Sequence, residues 1–292
     1  MVSLTARIAG FILRTTGTYK KLFAGGPGMV ATIAGARTVP IDVPSDKMRA
    51  KLDISTSEFG GRSVWHIAPK GHVSPTRLLY FHGGGYVYSA ASAHWDFLCT
   101  MAHKHGVSII APLYPLAPES DATEITDFAL AFYRDVLTRH DAGNIVMAGD
   151  SAGGGLAVAT LMAARNSGVP LPAKAILICP WVEANPAHPD QARIEKRDAI
   201  LTVQGIRDAG LMYARDLPIT DPRVSPIHGD WSGLPPMLMF GGGDDILVTD
   251  ARALKAKLPS IDYVEEAGNI HDWPIFVFPE SRKAQARMAA FI

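Results

Sequence analysis

No apolar run in this 292-residue chain approaches the ~20 residues that a membrane-crossing helix needs, so no spanning helix is expected. Cysteine is scarce. Cys99 and Cys179 are the only two, both in apolar surroundings, so they read as buried thiols rather than a disulfide framework. Charge of one sign is missing as well: 28 Lys and Arg balance 28 Asp and Glu, with no basic stripe or run. That excludes the electrostatic footprint of a nucleic-acid-binding protein. Repeats and low-complexity tracts are absent. Near the start, Ala9-Gly10-Phe11-Ile12-Leu13 is bracketed by Arg7 and Arg14 and is too short for a secretory core. The chain therefore reads as soluble and cytoplasmic, with no stable membrane insertion. Histidines such as His103 and His105 lack a Cys or Asp cluster beside them, so neither a metal site nor a cofactor is expected.

What is abundant is apolar sequence, 48% of the chain, enough for one large α/β domain or two small ones. Five short apolar runs read as strands of a mostly parallel sheet: Arg77–Phe81, Val107–Ala111, Ile145–Ala148, Ala175–Cys179 and Met237–Phe240. Ser63–Ile67 and Ile261–Glu265 read as two more. Between them lie helical patterns, clearest where Ile125, Phe128, Ala129, Phe132, Tyr133, Val136 and Leu137 recur at helical spacing. Alternating strands and helices imply helices on both faces of the sheet.

Two stretches stand apart. Residues 1 to about 45 read as two helical pieces around a Gly25-Gly26-Pro27-Gly28 joint. Residues about 183 to 223 interrupt the alternation with a Pro-rich loop, Thr202 as an N-cap and a helix from Val203 to Arg215. Together these two stretches are expected to cap a single domain spanning 1–292.

The chemistry centres on Gly149-Asp150-Ser151-Ala152-Gly153-Gly154, between a strand and an Ala/Leu-rich helix. A Gly-x-Ser-x-Gly turn in that setting strains the serine backbone and holds its hydroxyl out at the sheet edge, against free helix N–H groups. Acyl transfer also needs a base, a group that orients the base, and oxyanion donors. With this turn the order is serine, acid, histidine. Asp245 follows the Met237–Phe240 strand and is favoured as the acid, with its neighbour Asp244 as the alternative. Asp250 reads as a helix N-cap. His271 follows the last strand and completes the order. His82-Gly83-Gly84-Gly85 leaves a buried strand and supplies Gly83, Gly84 and Gly85 for an oxyanion hole. Gly84 and Gly85 are expected to donate, Gly83 to shape the turn, and the N–H of Ala152 to join them. His82 reads as structural. Tyr213 and Trp181 are candidates for shaping the substrate pocket.

Several motifs together resemble the hormone-sensitive-lipase-like esterases, the bacterial family IV branch of the α/β-hydrolase fold. They are His82-Gly83-Gly84-Gly85-Tyr86-Val87, Ala117-Pro118-Glu119, Gly149 to Gly154, Asp221 to Pro226, Gly233-Leu234-Pro235-Pro236, Asp245-Ile246-Leu247 and His271. The similarity runs from about residue 60 to 280. It implies a serine carboxylesterase that hydrolyses short- to medium-chain acyl esters through an acyl-enzyme on Ser151. It also implies a cap over the site and a homodimer. An amidase or acyltransferase on the same triad, or a non-catalytic ligand receptor, are the competing readings. One departure stands out. Family members often carry an arginine two residues before Ala-Pro-Glu, where this chain has Pro115, so Glu119 must find another partner.

Overall fold

The computed structural model describes residues 2–71 and 74–292. Its strands are β1 Leu52–Phe59, β2 Arg62–Pro69, β3 Arg77–Phe81, β4 Ser108–Pro112, β5 Ile145–Asp150, β6 Lys174–Ile178, β7 Met237–Gly242 and β8 Asp262–Glu266. The helices are α1 Leu4–Thr16, α2 Thr18–Leu22, α3 Gly26–Ala36, α4 Asp46–Arg49, α5 Ser92–His105, α6 Ala122–Leu137, α7 Ser151–Asn166, α8 Gln191–Ile194, α9 Val203–Ala214, α10 Val248–Lys257 and α11 Pro279–Phe291.

All eight strands form one sheet in the order β1-β2-β4-β3-β5-β6-β7-β8. β1 and β2 are antiparallel to their neighbours, and every pairing from β4 to β8 is parallel. The continuous apolar runs of β3, β5 and β6 sit in the middle of the sheet, buried on both faces. α6 packs with α7, and α5 with α11. Parallel pairing has a functional consequence: the loops leaving β3, β5, β7 and β8 all emerge at one edge. Those are the loops that carry Gly83–Gly85, Ser151, Asp245 and His271.

Three local expectations change. β1 is a strand where none is expected, because its outer residues Ser55 to Glu58 are largely exposed and polar and offer no apolar alternation. The Gly/Pro joint is the start of α3, with Pro27 in the first turn, where its missing N–H costs nothing. Asp250 is not an N-cap: α10 begins at Val248, which puts Asp250 inside the first turn, buried. Thr202, in contrast, caps α9 through its Oγ1, which accepts from Gly205 N at 2.8 Å.

The N-terminal segment and the 183–223 insertion meet. α3 packs on α9. Lys20 Nζ donates to Glu195 O at 2.8 Å, Arg14 to Arg197 O at 3.2 Å, and Gly26 N to Asp208 Oδ2 at 2.6 Å. Gly205 is required at this seam, since a Cβ there would lie 1.9 Å from Phe23 O.

Candidate active site

Ser151 is the first residue of α7 and has a left-handed backbone, φ 50°. Its turn closes only because the flanking glycines lack side chains. A Cβ on Gly149 would sit 2.3 Å from Gly153 C, and one on Gly153 2.1 Å from Phe81 O. Ala152 N–H falls in the first helical turn, where no intrahelical acceptor exists.

The loop after β7 delivers Asp245, fully buried, with Oδ2 2.8 Å from His271 Nδ1. Its other oxygen accepts from Leu247 N at 2.8 Å. Asp198, also buried, accepts from Ile200, Leu201 and Ile246 N–H groups and so ties the insertion to the Asp245 loop. Asp244 faces the other way and pairs with Arg197 at 2.7 Å. Of the two neighbours, only Asp245 reaches the imidazole.

His271 holds a second carboxylate. Its Nε2 lies 3.0 Å from Asp272 Oδ2, and Asp272 itself is buried with φ 54°. Burial lowers the histidine's proton affinity, but the two carboxylates outweigh it and hold its pKa well above the ordinary value. Burial pushes the Asp272 carboxyl up to about 7, against the opposing pull of His271. Ser151 makes no side-chain hydrogen bond among the described residues and shares the pocket wall with His271 and Asp272. No motif in the sequence marks Asp272.

The glycine loop is anchored by Asp150. One Asp150 oxygen accepts from Gly83 N at 2.9 Å and from Tyr80 OH, and the other lies 3.1 Å from His94 Nε2. Burial disfavours the Asp150 charge, yet the His94 ring and these hydrogen bonds hold its pKa low. The Gly83 N–H is thus already donated, so within the glycine loop this residue can shape the turn but adds no free donor. Gly84 and Gly85, at φ 118° and 63°, make no N–H hydrogen bond to other described residues. His82 is structural: its ring stacks on Tyr114 at 4.3 Å, and burial drives its pKa down to about 4.

The cavity at Ser151 holds about 110 Å³. Tyr19, Leu22 and Phe23 line it from the N-terminal segment, Ile200 and Leu201 from the insertion, and Ile275 and Phe276 from the loop after His271. Tyr213 and Trp181 do not line it. Tyr213 stacks on Tyr86 at 3.6 Å and donates to Arg223 O, while Trp181 packs on Tyr86 and donates to Glu183 O. Both rings support the loop that follows the glycines. Glu119 finds its partner in Arg37, at 3.2 Å, and the same guanidinium donates to Val87 O and Ala117 O. The cation comes from the N-terminal segment, where no local motif marks it.

Cys179, at φ 41°, is buried with its sulfur near His271 and Asp272. Burial, with Asp245 beside it, raises its pKa, so it stays a thiol.

The chain as a whole is similar to known proteins. Residues 78–275 match a family described by its alpha/beta hydrolase fold. An acetyl-hydrolase of Streptomyces hygroscopicus is 37% identical over 267 residues, 84% of this chain and 88% of that protein. An ethyl acetate hydrolase of Pseudomonas putida is 32% identical over 67% of this chain and 65% of its own length. A solved esterase of the bacterial hormone-sensitive lipase family is 28% identical and superimposes with a TM-score of 0.82, covering 100% of this chain and 98% of that one. Fold, edge-of-sheet loops and relatives agree, and this chain belongs to the alpha/beta hydrolase family, among its hormone-sensitive-lipase-like esterases.

Proposed function

We propose that this hydrolase cleaves short-chain carboxylic esters through an acyl-enzyme on Ser151, with His271 as base and Asp245 as its orienting acid. The observation that carries the reading is the buried Asp245–His271 bond at 2.8 Å on the same pocket as Ser151. Asp245 fixes the tautomer that leaves Nε2 free of its proton and stabilises the imidazolium once it forms. Ser151 gives its proton to Nε2 and attacks the ester carbonyl. The developing alkoxide is met by the N–H groups of Gly84, Gly85 and Ala152, each donor supporting about 3 kcal/mol of the rate. His271 then protonates the departing alcohol, and water repeats the sequence to release the acid. Asp272 must give up Nε2 during this cycle, as catalytic hydrogen bonds often rearrange when substrate arrives.

A cavity of about 110 Å³ is small beside the ~300–1,000 Å³ of typical ligand pockets, which favours acetyl-sized groups. The acetyl-hydrolase relative points the same way. The N-terminal segment and the 183–223 insertion act together as the cap that walls this cavity. The test is hydrolysis of p-nitrophenyl esters from acetyl to dodecanoyl, with Ser151→Ala alongside. Turnover should peak at the shortest chains and vanish in the variant. Residual turnover in Ser151→Ala would remove the serine from the mechanism. A matched amide cleaved faster than its ester would favour an amidase.

A further inference from the structure

α1 is amphipathic in an unusual sense. Only the small residues Ala6 and Gly10 are buried against the domain. The large apolar side chains Leu4, Ile8, Phe11 and Ile12 point outward, between 49% and 69% exposed. At ~100° per residue these four fall on one stripe, bordered on one side by Arg7 and Arg14. The surroundings extend the pattern. Among the described residues, eight of the ten exposed large hydrophobics lie between Leu4 and Val43. Scattered exposed apolar residues need no explanation, but a concentrated patch does.

Charge identifies the occupant. Residues 1 to 41 hold five Lys and Arg and no Asp or Glu, so the rest of this neutral chain carries the balancing −5. Among the described residues, Arg37 alone of the five is paired with a carboxylate. Arg14 and Lys20 bond only backbone carbonyls, which leaves their charge uncompensated. Asp244 and Glu266 line the groove beside Arg7 and Arg14, but Asp244 is taken by Arg197. A second copy packed through this stripe about a twofold axis would bring like cations together. An anionic lipid surface meets both properties at once, apolar depth for the stripe and negative headgroups for its border.

We propose that α1 is an interfacial helix that docks the protein onto anionic phospholipid surfaces. The stripe lies in the boundary between headgroups and acyl chains, and Arg7 and Arg14 contact the headgroups. Tyr19, Leu22 and Phe23, just beyond α1, line the pocket at Ser151, so docking sets the mouth of that pocket close to the surface. The docking itself does not depend on the triad assignment.

The experiment is co-sedimentation of the full chain with vesicles of phosphatidylcholine alone and of phosphatidylcholine with 30 mol% phosphatidylglycerol, beside Ile8→Ser/Phe11→Ser and Arg7→Gln. The wild type should partition at least about tenfold more strongly onto the anionic vesicles. The apolar double variant should lose about tenfold or more of that partitioning and Arg7→Gln about fivefold, both while hydrolysing a water-soluble acetate ester at the wild-type rate. No partitioning on either vesicle, or partitioning untouched by the substitutions, overturns the proposal. So does a wild-type dimer in light scattering that the apolar substitutions convert to monomer, which would assign the stripe to a second copy.

Discussion

Asp272→Asn should move the acid limb of the pH profile of kcat/KM downward. His271 lies between two carboxylates, and both raise its pKa. A raised value keeps the imidazolium in place to higher pH, so the neutral base is present only above it. Removing one carboxylate charge frees the base at lower pH. Unit charges 3.0 Å apart interact by about 5 to 6 kcal/mol at an effective dielectric of about 20, a ceiling of about 4 pH units. Asp272 is itself held toward its neutral form, with its pKa pushed up to about 7, so only part of that charge is present near neutrality. A downward shift well short of that ceiling is the expected outcome. Asn suits the site because it tolerates the left-handed backbone at φ 54°. The assay is kcat/KM for a p-nitrophenyl acetate series across pH, since that quantity reports the free enzyme's groups. A limb that stays at the wild-type position, or moves upward, in a folded variant would refute the reasoning.

Asp245→Asn should lower kcat by about 10⁴, while Asp244→Asn, which loses only a half-exposed pair with Arg197, should stay within about tenfold of wild type; steady-state rates on one ester decide it. Gly83→Ala would place a Cβ 2.1 Å from Asp150 Oδ2, so the loop must shift, and both Tm and kcat should fall. The depressed Asp150 pKa makes its contribution to stability present above the unfolded value of about 3.9 and lost as pH falls toward about 2. The Tm gap between wild type and Asp150→Asn should therefore narrow over that window, and a gap constant with pH would contradict the ion pair with His94.

The elements most legible in the sequence were those whose burial is complete. β3, β5, β6 and β7 announce themselves as unbroken apolar runs because both faces are covered. Ser151 and Asp245 could be ordered because each leaves the end of such a strand, and His271 because it follows the last strand in the chain. β1 was hidden because an exposed edge strand has no apolar face to display. Asp272 and His94 were hidden for another reason: their roles depend on which side chains meet across 56 residues or more or around a single imidazole, and no spacing encodes that. Arg37 is similar, since a cation 82 residues from Glu119 replaces one expected just before the motif. Tyr213 and Trp181 show the limit of placing aromatics by position, because burial does not say which cavity a ring faces.

Left-handed backbone is concentrated where turnover is proposed to occur. Among the described residues, five non-glycine positions adopt it, and Tyr86, Ser151, Cys179 and Asp272 all sit in or beside the pocket's loops. Each such residue costs on the order of 1 to 3 kcal/mol relative to a relaxed chain. Selection for heat resistance and selection for turnover therefore pull these sites in opposite directions. A lineage released from the need to hydrolyse esters would drift toward glycine at Ser151 and grow sturdier as it lost its nucleophile. The inactive descendant, rather than the working enzyme, would be the harder protein to melt.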